Sequence, residues 1–266
     1  VDTTPPIMPN NQLGQGEYTI LEELSYFYDF EFLDTDVQNF EGIDLLVVYH
    51  PSDVSEETEY AIEQFILSGG KSVIFVDPFF EKNDHSNKTS DLKNVLKTLN
   101  INFNSNVILD GAQATRLQTQ QNISDNTSLQ TLLKLNWPEV RGQFINQSEE
   151  IGDGLSLIRL VSPGGLSQLN DESEVIYTSI MSSSEATMDL PIKEVLDPIK
   201  LINNFKPSGV TYDFGVKLSG NAMSSFNDYD NISDNHLEAS IKNINVVVFS
   251  DADFIRNAFW ARIQKF

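Results

Sequence analysis

Four aspartates stand directly after short apolar runs: Asp77 after KSVIFV, Asp110 after NVIL, and Asp251 and Asp253 after NVVVFS. In an open α/β sheet, ligands bind outside the carboxyl ends of the strands, so side chains at such positions converge on one edge. His50 and Ser52, which follow the run IDLLVVY, belong to the same edge. Carboxylates, a hydroxyl and an imidazole gathered there have the chemistry of a small-ligand site, or of a divalent-cation site made from hard oxygen ligands. Aspartate at a strand end also turns the backbone and caps helices, which is its commoner use, and Asp253 in particular fits a helix N-cap.

Other chemistries are closed by composition or context. With no cysteine, the chain offers no thiolate nucleophile, disulfide or thiolate-bound metal. No G-x-S-x-G elbow occurs, and the strand-end turn at Asp77-Pro78, a position where an activated nucleophile would stand, has neither a thiol nor an adjacent histidine. Gly69-Gly70-Lys71-Ser72 imitates the end of a phosphate loop, but position 65 holds Phe in place of the first glycine. A phosphate loop also precedes its helix, whereas this glycine pair follows one. Asp228 to Asp234 is a poor calcium loop, lacking the glycine at loop position six and carrying Ala239 where the closing Glu belongs. His50, His85 and His236 show no metal-ligand spacing. On these grounds no catalytic residue, metal site or cofactor is assigned.

The stretch Ile43 to Phe80 must position most of these side chains, because it holds a strand, a helix and a strand in order. Ile43 to Tyr49 is an apolar run without polar alternation, the pattern of a strand covered on both faces. Ser55 is placed as an N-cap, with Glu56 and Glu57 in the first turn where the helix dipole favours negative charge. Ala61, Ile62, Phe65 and Ile66 share one helical face, and Gly69-Gly70 supplies a left-handed exit. Lys71 to Val76 is the second strand, stopped by Asp77-Pro78. Two apolar strands joined by a helix are parallel with a right-handed crossover.

Upstream, Ile20, Leu21, Leu24 and Phe27 make a helical stripe beginning near Glu17, and alternation from Tyr28 to Leu33 predicts a first strand. Downstream, Thr89 or Ser90 is placed to cap a helix carrying Leu92, Val95, Leu96 and Leu99, and Asn106 to Leu109 reads as another strand. From Ala112 to Asn204 the pattern becomes short and turn-rich, with a brief helix over Ser128 to Leu135 and strands over Leu155 to Val161 and Val175 to Ile180. Alternation returns at Tyr212 to Leu218, and Asn245 to Phe249 is a buried-type strand that rejoins the first sheet, followed by a helix running to Phe266. A core of residues 1–111 plus 205–266, with 112–204 as an inserted lobe, follows from that order.

Charge limits the partners. The 39 acidic and 17 basic residues give a net charge of −22, which argues against nucleic acid and against docking on anionic lipid. No run of about 18 apolar residues is present. The simplest reading is the soluble part of a longer polypeptide.

The segment AIEQFILSGGKSVIFVDPF at 61–79 resembles the signature of the auxiliary component of gliding-motility-type ABC transport systems, in which a strand and turn like Leu45 to Ser55 precede it. Asn106 to Ala114, Leu135 to Val140, Ser208 to Phe226 and Val246 to Phe254 are similar to further segments of that family. Glu63 stands where Asp is common and Ser68 where a basic residue is common. The resemblance implies a soluble part outside the cytoplasmic membrane, anchored to it and working beside an ABC permease and ATPase without enzymatic activity.

The expected fold is thus α/β: a mainly parallel, flavodoxin-like or class I glutamine amidotransferase-like sheet with helices on both faces. The expected function is a non-catalytic auxiliary subunit, with a small-ligand or cation-binding module at the strand-end carboxylates as the alternative and an unrecognised hydrolase third.

Overall fold

The computed structural model describes residues 18–81, 88–123, 126–227, 229 and 232–260. Residues 1–17, 82–87, 124–125, 228, 230, 231 and 261–266 lie outside the described residues, and with them part of the poor calcium loop and the expected continuation of the last helix to Phe266. In chain order the elements are α1 (Thr19–Ser25), β1 (Leu45–Tyr49), α2 (Glu56–Leu67), β2 (Lys71–Phe75), α3 (Lys93–Thr98), β3 (Ile101–Asn104) and β4 (Val107–Asp110). There follow β5 (Ala114–Ile123), β6 (Asn126–Arg141), β7 (Leu157–Arg159), β8 (Gly165–Gln168), β9 (Val175–Ser182) and β10 (Thr187–Leu190). The chain closes with α4 (Pro198–Asn204), β11 (Asp213–Gly220), β12 (Asn245–Phe249) and α5 (Asn257–Trp260).

The β1–α2–β2 unit forms for the local reasons its sequence carries. Ser55 Oγ accepts the Thr58 N–H at 3.1 Å, three acidic residues occupy the first turn, and Gly69 leaves the helix at φ +89°. That φ is open to glycine without Cβ strain. β1 pairs parallel with β2 and β2 with β12, so the late strand does rejoin the first sheet. α2 buries Ala61, Ile62, Ile66 and Leu67 against Leu46, Val48, Ile74, Val246 and Val248. Each fully buried aliphatic side chain there is worth about 1.5–3 kcal/mol.

Beyond β12 the order changes. The main sheet runs β1-β2-β12-β11-β8-β3, with β9 also paired to β11, and every pairing past β12 is antiparallel. The sheet is therefore mixed: parallel order extends only over β1, β2 and β12. Helix α2 and α3 cover one face. The opposite face packs largely on β-structure, where Val247 and Phe214 meet Ile108 of β4, Val140 of β6 and Leu160, while Leu21 of α1 packs with Tyr49 and Phe75 at its β1–β2 end. A second ladder pairs β4 with β10, and a third joins β5, β6 and β7. Residues 112–204 contribute to both layers, through β8 and β9 in the main sheet and through the two smaller ladders outside it.

Three local expectations are corrected. Residues 28–33 form no strand, since among the described residues they have no pairing partner. Ser128 to Leu135 belongs to β6, not to a helix; its leucine spacing is overridden by a long antiparallel pairing with the preceding strand, β5, which runs from Ile123↔Asn126 to Ala114↔Pro138. Neither Thr89 nor Ser90 caps α3, which begins after Leu92 without a local side-chain cap. Glu59 of α2 does so instead, its Oε1 accepting the Asn94 and Val95 N–H groups at 2.7 and 3.2 Å.

Candidate functional site

Parallel pairing brings the carboxyl ends of β2 and β12 side by side, and with them Asp77, Asp251 and Asp253. Each offers an oxygen, and these atoms lie within 4.8 Å of one another; all three residues are fully buried. Asp77 turns its own backbone, Oδ1 accepting the Phe79 N–H at 2.8 Å, and reaches across to β12, where Oδ2 accepts the Ala252 N–H at 2.8 Å. Asp251 accepts the Asp253 N–H on Oδ1 at 2.7 Å and the Val161 N–H on Oδ2 at 2.5 Å. Asp253 accepts the Glu81 N–H on Oδ2 at 2.5 Å and pairs through Oδ1 with the Arg256 guanidinium at 2.6 Å. All six oxygens thus receive a hydrogen bond from a protein donor.

The three carboxyls lie in a site removed from water, where Arg256 pairs with Asp253. Burial, then repulsion from Asp253 and Asp251, pushes Asp77 well above the usual carboxylate range. Burial and Asp253 do the same to Asp251. Asp253 is pushed up by burial to about 6, with Arg256 and the Glu81 N–H pulling the other way. Carboxyls raised in this manner hold protons at pH values where free aspartate is ionised.

His50 leaves β1 at φ +44° and joins the same edge from the flank. Its Nδ1 lies 3.0 Å from Ser90 Oγ, which accepts the Asp77 N–H at 2.9 Å, and its ring stacks on Phe80 at 4.9 Å. Burial lowers its pKa to about 4, so the imidazole is neutral near pH 7. Pro78, in the motif Asp77-Pro78, lies within the Asp77 turn, and its carbonyl accepts the Thr89 hydroxyl at 3.1 Å.

Two of the residues selected from sequence do not join this group. Ser52 lines a surface cleft of about 570 Å³ between the N-terminal ends of α2 and α3, together with Asp53, Glu56, Lys88 and Lys93. Asp110 ends β4, which has left the main sheet, and lies in a separate buried nest. There Oδ1 accepts Ala112 N–H, Gln113 N–H and the Ser184 hydroxyl, and Oδ2 accepts Gln113 Nε2 and Ser184 N–H, at 2.7–3.0 Å.

Sequence reasoning missed Arg256, Glu81, Asn136 and Ser162. Glu81 Oε1 accepts Trp137 Nε1 at 2.9 Å and the Ser162 hydroxyl at 2.5 Å, which ties β6 to the strand ends. Arg256 donates to Asp253 and to the Glu81 carbonyl, at 2.6 and 3.0 Å. Only Arg256 carried a signal, standing three residues after Asp253 where a helical turn brings the two together.

Asp251 and Asp253 lie in the closing segment Val246 to Phe254, and a family model described as an ABC-type uncharacterized transport system matches residues 2–266. The chain belongs to this ABC transport auxiliary family. The match spans both the parallel β1–β2–β12 unit and the ladders built from residues 112–204. Among solved structures, the mmIFT52 N-terminal domain is similar at a TM-score of 0.50 and 9% identity, over 91% of this chain and 81% of that chain. At that identity the likeness concerns the fold alone. No curated protein matches the sequence.

Proposed function

We propose that this member of the ABC transport auxiliary family is the extracytoplasmic part of a non-catalytic subunit, anchored to the cytoplasmic membrane by segments outside residues 1–266. It associates with an ABC permease and ATPase, which it scaffolds or to which it presents a ligand. The family match along the chain carries this reading. Its non-catalytic part is supported at the strand ends, where the buried carboxylate oxygens are spent on backbone N–H groups and Arg256. The parallel β1–β2–β12 unit is read as what this fold keeps of a flavodoxin-like or amidotransferase-like sheet. A net charge of −22 favours protein partners over phosphate-rich ones.

Mild-detergent co-purification of the tagged whole protein from its own cells tests the reading. Permease and ATPase subunits are expected to come with it; recovery of a lone monomer counts against it.

A second reading, a cation-binding or small-ligand module, is favoured by the convergence of Asp77, Asp251 and Asp253 oxygens within 4.8 Å. Calorimetric titration with Ca²⁺ and Mg²⁺ decides it. Saturable heat that disappears in a folded Asp251→Asn variant is what this reading requires, and identical traces for both proteins remove it.

A further inference from the structure

The segment from Tyr26 to Phe32 places five aromatic side chains in solvent: Tyr26 (79% exposed), Phe27 (80%), Tyr28 (60%), Phe30 (38%) and Phe32 (52%). Elsewhere the chain buries such rings, as at Tyr18, Phe40, Tyr49, Phe75 and Phe214. Isolated exposed apolar side chains are ordinary, but a contiguous group of this size marks a surface made to be covered.

Tyr28, Phe30 and Phe32 alternate with Asp29 and Glu31, and the alternation survives in space, since the Phe30 and Phe32 rings stack at 6.4 Å. That is the pattern of a strand with one apolar and one acidic face. Yet among the described residues no hydrogen bond engages the backbone of residues 29–33. The ribbon is also fixed at both ends. On one side, Tyr18 and Leu21 pack with Tyr49 and Phe75, and Thr19 and Asn257 exchange two hydrogen bonds at 2.9 and 2.8 Å. On the other, Leu33 and Val37 pack against the main core, and the Thr58 hydroxyl donates to the Thr35 carbonyl at 2.8 Å. A segment held this way loses little conformational entropy on docking.

Its charge selects the partner. Glu22, Glu23, Asp29, Glu31, Asp34 and Asp36 lie in or beside the ribbon, and no Lys or Arg precedes Lys71 in the chain. Anionic lipid and nucleic acid are repelled by such a surface, whereas an apolar floor rimmed by Lys and Arg is complementary to it. We propose that residues 26–32 are a docking strand that adds to an exposed sheet edge, apolar in its floor and basic at its rim, on another protein subunit of the transport system. The partner's identity rests on the auxiliary-subunit reading; the docking strand itself rests on the ribbon.

The test compares the tagged whole protein with a Phe27→Ser/Phe30→Ser/Phe32→Ser variant and with Asp29→Lys/Glu31→Lys. A Leu196→Ser/Ile199→Ser control alters aliphatic side chains that are 69% and 68% exposed. Circular dichroism and melting temperature should match the parent, because the replaced groups are largely in solvent. Permease and ATPase recovered with the aromatic variant should fall at least about tenfold, with a smaller fall for the charge reversal and none for the control. Undiminished recovery with the aromatic variant overturns the docking strand while leaving the auxiliary-subunit reading intact. If the parent protein brings neither subunit, that reading fails and takes the assigned partner with it. If light scattering shows a parent dimer that the aromatic variant abolishes, the occupant is a second copy of this chain, and the transporter assignment is overturned.

Discussion

Asp110 and Asp77 look alike in sequence: each ends an apolar run, each is fully buried, and each turns the chain by accepting a backbone N–H two residues ahead. Their surroundings are opposite. Asp110 sits alone among five donors from Ala112, Gln113 and Ser184. Asp77 has two donors and two other carboxyls, Asp251 and Asp253, against it. The first site surrounds one carboxyl with donors, of which Gln113 Nε2 also reaches the Ser182 carbonyl at 3.3 Å. The second crowds charges that burial and mutual repulsion both oppose. A buried carboxylate is therefore not one kind of object, and its removal has a cost set by its neighbours.

The largest expected effect follows. Asp110→Ala strands the Gln113 and Ser184 N–H groups in a buried nest, removes the acceptor of the part-buried Ala112 N–H, and should destabilise the protein by about 3–5 kcal/mol in chemical denaturation. Asp77→Ala strands two N–H groups but also relieves repulsion within the trio, so about 1–2 kcal/mol is expected. Equal losses for the two variants would mean that crowding among Asp77, Asp251 and Asp253 has no energetic weight, and the contrast would collapse.

Titration separates the sites next. The folded Asp253 carboxyl, raised from 3.8 to about 6, binds more protons than the unfolded chain between those values. Its contribution is complete below the unfolded pKa and is lost as pH rises through about 6, to the extent of about 3 kcal/mol. His50, lowered from 6.5 to about 4, has the reverse sign. Its neutral ring is accommodated above pH 6.5, and stability falls by about 3 kcal/mol as pH drops through that window. The two slopes oppose each other in the parent protein, where Asp77 and Asp251, raised like Asp253, add to the sign of Asp253. Asp253→Asn should therefore make stability fall less steeply than in the parent as pH rises from 4 to 6, and His50→Asn, which suits φ +44°, more steeply. Parallel profiles for parent and both variants would show that neither group is shifted.

How much of this was legible depends on distance along the chain. The unit β1–α2–β2 could be read because Ser55, Gly69 and the apolar runs act within a few residues of one another. The meeting of Asp77 with Asp251 and Asp253 was legible for a related reason: parallel strands must end at a common edge. Asp110 looked identical, and nothing around Val107 to Leu109 announces that β4 leaves the main sheet for β10. The mixed order of the sheet was hidden likewise, because β8, β9 and β11 carry no local mark of strand direction. Glu81, Asn136 and Ser162 reach the site only through tertiary contacts. The alternation from Tyr28 to Leu33 reads as a strand, and that pattern is present; what is lacking among the described residues is a neighbour to pair with.

A half-buried acid on α2 gives the smallest effect and the sharpest check on which force decides. Glu59 caps α3 from a neighbouring helix through the Asn94 and Val95 N–H groups, an arrangement in which the helix dipole favours the ionised form. Burial nevertheless raises its pKa, so desolvation outweighs the two capping bonds and the Asn94 side chain. Glu59→Gln keeps one acceptor for those N–H groups and should cost no more than about 1 kcal/mol. The sign of its pH dependence carries the information. Because the folded carboxyl binds its proton more tightly than the unfolded one, the parent loses stability as Glu59 ionises, while glutamine does not. The cost of the substitution should therefore shrink between pH 4 and pH 7 in paired denaturation curves. A cost that grows with pH would place the capping charge above desolvation, and Glu59 would then belong with Asp110, as an acid held by its donors, and not with the crowded trio.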